Sequence, residues 1–239
     1  MIALLEYLHR CFIRSYRYGA PTVIYAAILA LIYSTNGNPV MDSYAFTSSM
    51  LFVAGAAIGS LMIDVEAANQ EMATMLHARS LVRLSAAKLL YAWAFASALG
   101  VLAVFYPVLL GTFDRMPMPG ELGMGVLYHT VLAGLGISIA GWFTVKLFES
   151  RFYAMFGLVL WIALAFGARG IGNALPAGWD WLTYILPPVQ LTLHALTYYG
   201  DLSLGEKWLP IGAVLLYAGL SAGALLLVLR RRRLDYPGE

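Results

Sequence analysis

Apolar stretches recur along the chain at short intervals, each bounded by charged or turn-forming residues. Six of them, at 17–35, 44–63, 89–113, 122–147, 152–172 and 208–229, are long enough to cross a bilayer as helices. The shortest has 19 residues. At about 1.5 Å per residue it covers roughly 28 Å, close to the thickness of a hydrocarbon core. The pattern predicts an all-α integral membrane protein with six transmembrane helices. So little chain is left between the spans that 1–239 reads as a single transmembrane domain with no separate water-soluble unit.

The basic residues fall on alternate connections. Arg10, Arg14 and Arg17 precede the first span, and Arg79, Arg83 and Lys88 follow the second. Lys146 and Arg151 flank the link between spans four and five, and an arginine run fills 230–233. Together these make 12 of the 15 Lys and Arg residues, leaving Arg115, Arg169 and Lys207 for the other side. Basic residues near span ends stay in the cytoplasm, so both termini are predicted cytoplasmic and the protein is predicted to be multi-pass in the cell membrane. The 230–233 run reads as a stop-transfer anchor against anionic headgroups. No nucleic-acid role is expected of it. The single cysteine, Cys11, excludes an internal disulfide and a cysteine metal cluster. The N-terminal apolar stretch ends without a small-residue cleavage site and is read as a retained span.

Three non-spanning pieces carry what is chemically unusual. The first, 1–18, is amphipathic: Glu6, Arg10, Arg14 and Arg17 share one helical face, and Leu4, Leu8, Cys11 and Ser15, flanked by Leu5 and Phe12, share the other. It is predicted to be an interfacial helix, either a surface anchor alone or one that also meets a cytosolic partner. The second, 64–88, has strong helix formers and no Gly or Pro. Met72, Met75, Leu76 and the stem of Arg79 recur at i, i+3, i+4 and i+7. Glu66 and Glu71 place acid near the positive end of the helix dipole. This helix is either a connector lying on lipid or on its own bundle, or a docking element with an apolar stripe. The third, 173–207, holds Trp179, Trp181, Tyr184, Pro187-Pro188, Tyr198 and Tyr199 around an apolar interior. Thirty-five residues of that character are not a free loop. Two short helices broken at the prolines are expected, either re-entrant or lying at the surface.

Within the spans, the second (Gly55, Ala56, Gly59) and the fourth (Ala133, Gly134, Gly136, Ala140, Gly141) are rich in small residues and are candidates for close helix contact. Pro107 predicts a kink late in the third. His129 is the one imidazole within a span, either a relay or a helix–helix hydrogen bond. The four histidines, His9, His77, His129 and His194, show no metal-ligand spacing. No catalytic residues and no metal site emerge. A phosphate-binding loop of the G-x-x-x-x-G-K-S/T type is missing, as are H-E-x-x-H and G-x-S-x-G. No carboxylate sits mid-span to drive a proton- or sodium-coupled carrier. Transport by this chain would need energy from elsewhere.

One stretch carries a family resemblance. Glu71-Met72-Ala73-Thr74-Met75-Leu76, then Arg79-Ser80 and Arg83, then Lys88-Leu89-Leu90, follows the order of an acidic-x-Gly-Thr segment, a Ser/Arg motif and a Lys opening the third span. It departs at Ala73, where Gly is usual, and at Ala78-Arg79, where Pro is common. With six spans, both ends inside, an amphipathic first helix and a paired element before the last span, the chain resembles a type-2 ATP-binding-cassette (ABC) exporter permease over essentially its whole length. The resemblance implies that two permease chains, identical or related, form the pathway, and that two copies of a soluble ABC ATPase dock beneath them. ATP and Mg would be bound by that partner, and this chain would carry no cofactor and no catalysis of its own. Met72, Met75 and Leu76 would seat in the ATPase, with Glu66, Glu71 and Arg79 pairing at the rim. Spans two and five would face the second permease, making Met50, Phe52, Met155, Phe156, Trp161 and Phe166 candidates for an aromatic pathway lining, with lipid-facing or core packing as the other reading. A hydrophobic or amphipathic cargo (peptide, lipid or drug) is the expected substrate class. A membrane-embedded enzyme and a nucleotide-independent channel or carrier are the alternatives.

Overall fold

A computed structural model describes residues 1–148, 150–176 and 178–231. These are all-helical, with no strand among them: α1 (Ile2–Ser15), α2 (Gly19–Ile32), α3 (Val40–Ile63), α4 (Ala68–Ala78), α5 (Leu81–Leu110), α6 (Pro119–Ala140), α7 (Arg151–Ala174), a 3-10 turn (Asp180–Ile185), α8 (Val189–Thr197) and α9 (Leu204–Arg231). Five helices, α3, α5, α6, α7 and α9, are long and apolar enough to cross a membrane. The expected first span is shorter than its apolar stretch. Tyr16, at φ 55°, ends α1, and α2 then runs for only 14 residues, about 21 Å. Beyond it the chain turns at Gly37, φ 86°, where the Gly37 and Asn38 amides donate to the Thr112 carbonyl at 3.0 and 3.1 Å. Arg230 and Arg231 end α9. Arg232 and Arg233 lie outside the described residues.

Two other boundaries differ from the hydropathy reading. Helix α5 starts at Leu81, where the Ser80 side chain caps the Arg83 amide, so Lys88 sits inside the helix and not at its mouth. Helix α6 ends at Ala140, and residues 141–148 form turns where the apolar run predicts more helix. Trp142 accounts for part of this: its indole N–H donates to the Ser221 side chain on α9 at 3.1 Å.

Helix α3 is the centre of the bundle, packed by α6, α5, α2 and α8. The small residues of α3 and α6, each a candidate for close helix contact, meet each other face to face. A Cβ on Gly136 would lie 2.2 Å from the Phe52 carbonyl oxygen, and one on Gly55 would lie 2.9 Å from that of Ala133. Only glycine permits this approach. His129 of α6 closes a hydrogen bond across the same seam. Its Nδ1 lies 2.7 Å from the Gly125 carbonyl, which can only accept, so Nδ1 holds the proton and Nε2 accepts from the Thr47 hydroxyl at 3.0 Å. The helix–helix reading of His129 fits this geometry.

Helix α1 packs on the protein as well as presenting a charged face. Leu8 and Phe12 are fully buried, with Phe12 edge-on to Tyr91 and Phe95 of α5 at 5.7 Å. The 173–207 segment breaks at Pro187-Pro188 into the 3-10 turn and α8. The 3-10 turn is tied to α9 by one bond, from Tyr217 at the helix midpoint to the Ile185 carbonyl at 3.0 Å, and leaves Trp181 and Tyr184 exposed, whereas Val189, Thr192, Ala195 and Leu196 bury one face of α8.

Candidate functional site at the α4 end of the bundle

Lys88 has no exposed surface. A buried ammonium is tolerated only when its charge is matched, and here two carboxylates match it. Its Nζ lies 2.8 Å from Glu66 Oε2 and 2.9 Å from Glu71 Oε1, and donates to the Ile63 carbonyl at 3.2 Å. Glu66, between α3 and α4, is also closed off: its Oε1 accepts from the Tyr7 hydroxyl at 2.9 Å and from the Thr74 hydroxyl at 2.6 Å. Gln70 donates to the Tyr7 oxygen at 2.9 Å. Glu71 is bonded in addition to Lys146 of the 141–148 turns. Arg17 donates to the Asp64 carbonyl at 2.7 Å. One polar lattice therefore ties α1, the end of α3, α4, α5 and the 141–148 turns together.

The charges in it respond unequally. Burial pushes the Asp64 carboxyl above its ordinary range, although Lys146, a Val145 backbone bond, Arg151 and Lys88 oppose the rise. Burial acts on Glu71 in the same direction, but the Lys146 and Lys88 ammoniums outweigh it, and the carboxyl stays below its usual value. Lys146 is lowered, first by burial and then by repulsion from Lys88, against the attraction of Glu71. The single Glu71 carboxylate thus serves two lysines. Burial pushes the Tyr7 phenol up to about 12, so it donates as a neutral hydroxyl.

With its acidic residues turned inward, α4 shows its other face. Met72 is 51% and Leu76 74% exposed, and Arg79, in the left-handed conformation that ends the helix, is exposed beside them. Met75, expected in the same stripe, instead packs inward on the core formed by α1, α3 and α5. Glu66 and Glu71, expected at an outer rim, are also corrected in placement: both are committed to lysines of the same chain. Hydropathy places Lys88 at the mouth of the third span and gives no sign of Lys146, Tyr7 or Thr74 as partners. The signal available was two acids on a short link beside an otherwise unmatched lysine.

The six lining candidates do not form one surface within the chain. Phe52 is fully buried and lies edge-on to Phe166 at 5.8 Å, and Trp161 packs on the same core. Met50 belongs to the other core, with α1 and α5. Met155 and Phe156 are exposed on α7, alongside Phe152 and Val159. Helix α3, expected to face a second copy, is instead largely enclosed by its own bundle.

No family model matches the chain, and neither a curated protein nor a solved structure is significantly similar to it.

Proposed function

We propose that this chain is the membrane-spanning subunit of an ABC exporter, with both termini in the cytoplasm and α4 as the element that couples it to a soluble ATPase. The observation that supports this most directly is the division of α4 into two faces. Outward, Met72, Leu76 and Arg79 offer an apolar stripe with a cationic end, the kind of anchor set that dominates protein interfaces. Inward, Glu66 and Glu71 hold α4 to Lys88 and Lys146. A partner pulling on the outer face would draw on α5 and the 141–148 turns through those ion pairs, and α1 through Tyr7. The short helix α2 fits this reading as a sixth span assisted by α1, and the 3-10 turn and α8 fit it as a re-entrant pair reaching the middle of α9. A second permease chain would cover the exposed α7 face around Met155 and Phe156. Lipophilic or amphipathic compounds are the proposed cargo, moved outward by ATP hydrolysed in the partner.

The test is capture of a soluble ATPase carrying a phosphate loop by the detergent-extracted chain. Met72→Asp with Leu76→Asp should abolish capture while leaving the elution profile of the bundle unchanged. Undiminished capture by the double variant would remove α4 as the coupling element. Labelling of a cysteine introduced at Ala73 by an impermeant reagent on intact cells would reverse the topology and end the proposal.

A further inference from the structure

Between the C-terminal part of α7, α8 and the middle of α9, a cleft of about 660 Å³ opens. Its walls are apolar along Leu191, Leu216 and Leu220, and Arg169 and His194 are its basic lining residues. Among the described residues none lining it is acidic, and Arg169 makes no ion pair. Arg169 stands 18 residues after Arg151 on the same helix. That is about 27 Å, so if Arg151 marks one edge of the hydrocarbon, Arg169 reaches the headgroup depth of the other leaflet. A second cavity of about 600 Å³, lined by Trp142, Phe143 and Trp161, shares Tyr184, Tyr217 and Leu220 with the first. The two together run along the gap between α7 and α9 towards the α4 end.

We infer that this cleft binds an anionic amphiphile, with its phosphate or carboxylate on Arg169 and its acyl chain along Leu216 and Leu220 towards Trp161. Both halves of that ligand are matched. The guanidinium is a fork for an oxyanion at the depth where headgroups lie. The apolar track below it is long enough for a chain and runs along Leu216, Leu220 and Trp161. Two of the polar side chains lining it, Tyr217 and Gln190, are already used: the Tyr217 hydroxyl donates to the Ile185 carbonyl, and the Gln190 amide donates to that of Phe166. An ordinary zwitterionic lipid would bring its own cation beside Arg169 and bind less well. The site stands whether or not α4 engages an ATPase.

The purified full chain should be titrated with dioctanoyl phosphatidylglycerol, dioctanoyl phosphatidylcholine and inorganic phosphate, with binding followed by native mass spectrometry. Phosphatidylglycerol should bind about tenfold more tightly than phosphatidylcholine, and phosphate alone should not bind. That pattern distinguishes a lipid-borne anion from a free one. Arg169→Gln should cost about tenfold for phosphatidylglycerol only, and Arg169→Lys should restore part of it. Leu220→Trp, which fills the track, should weaken both lipids while leaving the chain monodisperse. Equal binding of the two lipids, saturable binding of phosphate alone, or an Arg169→Gln variant that retains the headgroup preference would each overturn the site.

Discussion

Replacing Lys88 by Met keeps the length of the side chain and removes its charge. The loss can be sized from the contacts. Glu71 would still have Lys146, but Glu66, whose side chain has no exposed surface, would keep only the Tyr7 and Thr74 hydroxyls. Breaking a buried pair by removing one partner costs about 3–5 kcal/mol, because the remaining charge is left uncompensated. For a chain of this size that corresponds to a drop in Tm on the order of 10 °C. Glu66→Gln in the same chain should recover most of the loss, because the orphaned charge is then gone and the neutral amide can still bond Tyr7. Thermal unfolding in detergent, followed by near-ultraviolet circular dichroism, measures all four members of the cycle. A Lys88→Met variant within about 3 °C of the parent would refute the buried-pair reasoning, as would single losses that simply add in the double variant.

Gly136→Ala should destabilise by about 1–3 kcal/mol, since its Cβ would meet backbone at 2.2 Å and force α3 and α6 apart, whereas Gly123→Ala, with no atom within 4 Å, should be neutral or slightly stabilising; paired melting curves decide. Met75→Asp should lower thermal stability and Met72→Asp should not, because only Met75 packs on the core; a reversed order would mean that α4 is rotated about its axis. Asp64→Asn should raise Tm at pH 7.5. A folded-state pKa above the unfolded value means that the ionised carboxylate costs stability at neutral pH, and that this cost fades as pH falls through the raised value. The advantage of Asn over Asp should therefore shrink on acidification, and a gap that widens instead would contradict the burial of Asp64.

The parts of the fold that hydropathy could locate are those decided by local composition. Five of the six expected spans recur as helices long and apolar enough to cross a membrane, and these, the close contacts of the small-residue helices α3 and α6, and the break at Pro187-Pro188 depend on residues next to one another in sequence. What eluded the pattern was decided by contacts across long separations. Leu84, Ser85 and Ala87 extend α5 by burying one face on its neighbours, so residues 81–88, ahead of the apolar run that begins at Leu89, are helix and not link. Lys88 can lie in that buried face only because Glu66 and Glu71 arrive from 22 and 17 positions earlier. Lys146 likewise belongs to an apolar run in sequence, yet it is drawn out of helical continuation to meet Glu71.

The same pairings fix which side of α4 is free. A helix with Glu71 committed to Lys88 must turn residues one or five positions on, Met72 and Leu76, away from that lysine, because a step of 100° per residue carries them to the opposite flank, while Met75, four positions on, returns beside Glu71. The stripe read from spacing alone joined Met72, Met75 and Leu76 because all three fall within a broad arc. The ion pairs divide that arc, assigning Met75 to the core and Met72 and Leu76 to the surface. The orientation of α4 is therefore an electrostatic consequence of where Lys88 sits. Neutralising Lys88 should disturb the exposed stripe as well as the stability of the bundle, with no direct contact between the two.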